Sequence, residues 1–62
     1  MNICDIKVGF TYRGKKDPDT CKVTKIYNNK VYFIHKFLDN EPYQTSDNLE
    51  TFAKWAETVV SG

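Results

Sequence analysis

Apolar and polar side chains alternate along residues 6–13, with Val8, Phe10 and Tyr12 on one side and Lys7, Thr11 and Arg13 on the other. That two-residue period predicts a half-buried first strand, interrupted only by Gly9. Residues 14–20 hold two lysines, two aspartates and Pro18, a composition that predicts an exposed, mobile loop. Two runs rich in β-branched and aromatic residues follow, 21–27 and 30–37, separated by Asn28-Asn29, a pair suited to the positive φ angles of a tight hairpin turn. Two registers fit this hairpin. A two-residue turn sets Ile26 opposite Val31 and Thr24 opposite Phe33, with Val23, Lys25, Tyr32 and Ile34 on the other face. A three-residue turn including Lys30 gathers Val23, Tyr27, Val31, Phe33 and Phe37 instead. Either way both faces carry apolar residues, which predicts a central hairpin with little of either face fully solvated.

Asp39-Asn40-Glu41 marks a further turn, and residues 42–45 can form a short strand with Tyr43 and Thr45 pointing the same way. The period then changes. Leu49, Phe52, Ala53 and Ala56 recur at helical spacing with Trp55 beside them, and Asp47 with Glu50 three residues later predicts an N-cap. Thr58-Val59-Val60 fits either the end of that helix or a last short strand. This order of elements predicts a mostly β fold, a small antiparallel barrel plugged by a short C-terminal helix.

Sixty-two residues allow one domain, 1–62, with a modest core, and nine aromatics among them supply apolar area that a disordered chain lacks. Asp5 interrupts any apolar leader, and no stretch approaches the ~20 apolar residues of a membrane span, so no membrane partner and a cytoplasmic location are expected. Cys4 and Cys21 are too few and too far apart for a disulfide framework or a paired-cysteine motif, and are expected as reduced, packed thiols.

Gly9-Phe10-Thr11-Tyr12-Arg13, Cys21-Lys22-Val23-Thr24-Lys25-Ile26, Val31-Tyr32-Phe33 and Ser46-Asp47-Asn48-Leu49-Glu50-Thr51-Phe52 together resemble the small SH3-like (Tudor- or KOW-like) barrel proteins common in phages. The resemblance covers roughly residues 6 to 56. It implies a five-stranded barrel that binds nucleic acid, peptides or other proteins, located in the host cytoplasm if phage-encoded, and it carries over no catalytic residue.

No enzyme is expected from the residues themselves. The single histidine, His35, lies in a β run with no glycine-flanked serine and no neighbouring cysteine, so its ring is expected to satisfy a local partner or reach solvent. Cys4, Cys21 and His35 offer three zinc-type donors without the fourth ligand or the close pair of a structural site, so no metal is assigned. Gly9, Gly14 and Gly62 have no phosphate-loop spacing, the acidic pairs Asp17/Asp19 and Asp39/Glu41 read as solvated turns, and no cofactor is assigned. Trp55 is expected in the core.

Charge changes the picture more. Residues 1–36 carry eight cations against three carboxylates, and residues 37–62 one cation against five, so a net +1 conceals halves of +5 and −4. These charges either intermix in the folded chain or form a basic surface for an anionic partner. The candidate binding set is Arg13, Lys15, Lys16, Lys22, Lys25 and Lys30 interleaved with Tyr12, Tyr27 and Tyr32, a mixture in which cations neutralise phosphates and rings stack on bases. The leading expectation is a non-enzymatic module that binds and modulates a host protein or complex. The alternative is weakly sequence-selective binding of DNA or RNA through the basic half.

Overall fold

The computed structural model describes residues 1–15 and 18–62. A 3-10 turn, Ile3–Asp5, precedes β1 (Thr11–Gly14), β2 (Thr20–Tyr27), β3 (Lys30–Lys36), β4 (Tyr43–Asn48), α1 (Leu49–Trp55) and β5 (Ala56–Ser61). The strands form one antiparallel sheet in the order β4-β3-β2-β1-β5, so the fold is mostly β with one short helix, as the pattern predicts. The hairpin is central in this order. Among the described residues no helix is long and apolar enough to cross a membrane.

The first strand is shorter than the alternation suggests. Gly9 takes φ +91°, a left-handed conformation that breaks the extended run, so pairing begins irregularly through Gly9 N–H to Val23 O (2.8 Å) and Val23 N–H to Phe10 O (2.9 Å). Val8 is consequently exposed and not part of the inner face. The segment 14–20 expected to be a loop includes Lys16 and Asp17, which lie outside the described residues.

Asn28 and Asn29 adopt φ +54° and +62°, the pair of positive values that a two-residue hairpin turn demands. Neither predicted register holds along the whole hairpin. Ile26 pairs with Val31 and Val23 with Phe33, because Thr24 is an extra residue bulged out of β2. Its hydroxyl donates to Tyr32 O at 3.1 Å. The bulge brings the apolar positions on both sides of residue 24 to one face.

Tyr12, Cys21, Val23, Val31 and Phe33 line that inner face, and α1 covers it with Leu49, Phe52 and Ala53. Asn48, one residue after the expected Asp47, caps the helix, accepting from Glu50 N–H at 2.9 Å. Asp47 stays in β4. The helix stops at Trp55, and residues 58–60 continue as strand β5 against β1. β-branched Thr58, Val59 and Val60 suit that state. The Met1 ammonium donates to Ala53 O (2.9 Å) and Ala56 O (3.2 Å), satisfying carbonyls at the end of α1. Trp55 is half-buried against the core, its ring 5.5 Å from that of Phe52.

Candidate functional site

Strand register decides which candidate residues share a surface, since directly paired residues point to the same side of a sheet. Four rows lie on the face away from α1. Arg13 pairs with Thr20 and Thr20 with Lys36; Thr11 pairs with Lys22, Lys22 with Ile34 and Ile34 with Gln44. Lys25 pairs with Tyr32 and Tyr32 with Ser46; Tyr27 pairs with Lys30 and Lys30 with Asn48, whose side chain turns back to cap α1. Five cations, Arg13, Lys22, Lys25, Lys30 and Lys36, therefore stand on one face, and its paired rows contain no carboxylate. Within these rows the charges do not intermix. Nor is this face covered as expected, for Lys22, Lys25 and Ile34 are all exposed.

Among the described residues the sole ion pair is His35 with Asp19, so none of the five cations is neutralised by a described carboxylate. Lys25 instead places its ammonium 5.4 Å from the ring centre of Tyr27 and 5.7 Å from that of Tyr32. Such contacts contribute about 0.5–1 kcal/mol at an exposed site, little enough for a ligand to displace them.

Arg13, Lys22, Lys25, Tyr27, Lys30 and Tyr32 of the predicted set thus come together. Lys15 is exposed just after β1, and Lys16 lies outside the described residues. Tyr12 does not belong to the surface. It has no exposed area, its ring packs 5.7 Å from that of Phe52, and its hydroxyl donates to Asp5 O (2.7 Å) and accepts from Lys7 N–H (2.8 Å). The hydroxyl that makes tyrosine a candidate for a surface here ties the incoming chain to the core. Lys36 and Ile34 are missing from the predicted set. The signal was present, because Lys30, Tyr32, Ile34 and Lys36 follow the two-residue period of one strand face.

A second feature lies on the inner side, where Asp19, Cys21, Phe33, His35, Phe52 and Trp55 line an open cleft of about 280 Å³. His35 Nε2 lies 2.7 Å from Asp19 Oδ2, and its Nδ1 is hydrogen-bonded to the Tyr43 hydroxyl. Both nitrogens are thus engaged, as the local-partner reading of His35 has it. Cys21 sits opposite His35 across β2 and β3, yet burial, aided by the Asp19 charge, pushes its thiol up from 9.0 to about 12. It remains a protonated thiol at neutral pH and not a nucleophile.

Cys4, expected to be packed, is exposed in the N-terminal 3-10 turn, and neither cysteine is in a disulfide. Native protein at pH 8 is therefore expected to take up one equivalent of iodoacetamide, on Cys4, and a second only after denaturation. Peptide mapping checks this, and rapid native labelling of Cys21 would contradict its burial. Among the described residues no group of three or more histidine, cysteine or acidic side chains is placed to hold a metal ion.

The chain matches no family model, no curated protein and no solved structure.

Proposed function

We propose that this chain is a non-enzymatic binding module that holds nucleic acid, with weak sequence selectivity, on the outer face of its sheet. One observation carries the reading: five cations and two tyrosines share rows that contain no carboxylate. Cations grouped in this way attract phosphates, whereas the same number dispersed among acids would not. Side chains standing on a sheet face meet backbone phosphates and ring faces more readily than base edges, hence the weak selectivity. The strand order, with α1 between β4 and β5, supports the SH3-like reading of the fold. The non-enzymatic part is supported by the commitments of His35 and the protonated state of Cys21.

Fluorescence anisotropy of a labelled single-stranded decamer, titrated with protein at 50 mM and 200 mM salt, tests the proposal. Engagement of three to five cations is expected to weaken binding about 20- to 100-fold between those salts. Salt-independent binding, or none by folded protein, would overturn it.

A protein target of the host is the second reading. It is favoured by Phe37, Leu38 and Tyr43, apolar side chains exposed around the β3–β4 connection. Leu38 is held there at φ +49°, an unfavourable conformation for a leucine. A lysate pull-down that recovers a stoichiometric protein, lost on substituting Leu38 and Tyr43, would favour this reading over the first.

A further inference from the structure

Around the hairpin tip the outer face has an order beyond its net charge. Lys25 and Tyr27 stand two residues apart on β2, Lys30 and Tyr32 two apart on β3, and the register pairs Lys25 with Tyr32 and Tyr27 with Lys30. Lysine and tyrosine thus alternate in both directions, a two-by-two checkerboard. Each ring has an ammonium-bearing side chain beside it along the strand and another across it. Tyr27 is 65% exposed, and Tyr32 is half-buried with Ser46 as its neighbour on β4.

We infer that the checkerboard is a subsite for two consecutive nucleotides of a single strand, each base stacked on one tyrosine and each phosphate on an adjacent lysine. The inference rests on the nucleic-acid reading above and names the form of nucleic acid. A base-free polyanion satisfies the lysines but leaves the rings unused, and a duplex keeps its base faces stacked inside. Only an unpaired strand presents phosphate and ring face together at each step. Lys25 occupies the ring faces in the unbound protein, so it has to exchange its contacts with Tyr27 and Tyr32 for a phosphate as the bases arrive.

The test compares a labelled decathymidylate with a decamer of the same phosphate number whose sugars are all abasic, and with a duplex, at 50 mM salt. With two bases stacked, the thymidylate is expected to bind at least about 30-fold more tightly than the abasic strand, and more tightly than the duplex. Tyr27→Leu with Tyr32→Leu is expected to reduce the thymidylate to the abasic affinity while leaving the abasic affinity within two-fold. Lys25→Gln is expected to flatten the slope of log affinity against log salt by about 0.7.

Equal binding of thymidylate and abasic strand by the unmodified protein, which needs no variant to fold, would overturn the subsite and leave the broader nucleic-acid proposal standing. So would a duplex bound as tightly as the single strand. An unchanged slope in folded Lys25→Gln would overturn the exchange of Lys25 onto a phosphate. Failure of every strand to bind would remove both the subsite and the function on which it rests.

Discussion

Reversing Lys22 and Lys25 together to glutamate is expected to weaken nucleic-acid binding on the order of 100-fold at 50 mM salt. Lys22 is near the middle of the outer face, between Thr11 on β1 and Ile34 on β3, and Lys25 belongs to the next row toward the hairpin tip. The double change removes two phosphate contacts and introduces two carboxylates where the paired rows contain none, so the remaining cations acquire neighbours that compete with phosphate. Both side chains are exposed, and the far-ultraviolet circular dichroism spectrum should not change. Lys54→Glu is the control. Lys54 is on α1, which covers the opposite side of the sheet, and its reversal is expected to leave binding within about two-fold, since charges separated by more than a Debye length, roughly 14 Å at this salt, are largely screened. Equal losses in the two proteins would mean that net charge, and not this face, holds the ligand.

Phe52→Ala is expected to destabilise the fold by about 3–5 kcal/mol. Phe52 is 2% exposed, and its ring lies 4.9 Å from that of Phe33, 5.7 Å from Tyr12 and 5.5 Å from Trp55. It is the ring through which α1 packs on Phe33 and Tyr12 of the sheet, with Trp55 beside it on the helix. A chain of 62 residues has a total stability of roughly 3–9 kcal/mol, so the variant should be largely unfolded near 37 °C. Urea titration followed by Trp55 emission measures the loss. Phe52→Leu, which keeps most of the volume, should cost less than about 1.5 kcal/mol. A loss below 1 kcal/mol in the alanine variant would mean that α1 is not what closes the core.

Much of the fold was legible where the local pattern and the global packing ask for the same thing. The Asn28-Asn29 turn, the two long strands and the helix beginning near residue 49 all follow from short-range chemistry: tolerance of positive φ, two-residue alternation and helical spacing. Three features were not. Val8, Phe10 and Tyr12 share a period, but the left-handed backbone at Gly9 turns Val8 out of the face. The conflicting hairpin registers are both partly present because a bulge at Thr24 joins them, and a bulge is selected by packing on both sides of it. Tyr12, placed both on the apolar side of the first strand and in the candidate binding set, is in the core, where its hydroxyl finds backbone partners at Asp5 and Lys7 that are remote from any strand pattern.

The candidate site divides in the same way. Composition alone places an excess of cations in residues 1–36, and tyrosines interleave with them. It does not determine whether those cations share a face. Pairing of β1, β2 and β3 places Arg13, Lys22, Lys25, Lys30 and Lys36 together and sends Asp19 inward to His35, separating opposite charges that are close in the chain. The physical reason is that side-chain direction within a strand is local, whereas the register between strands is set by burying Tyr12, Val23, Val31 and Phe33 beneath α1. Sequence by itself determined the elements and the stock of charges and rings. The requirement to cover one apolar face decided which of them the opposite face presents.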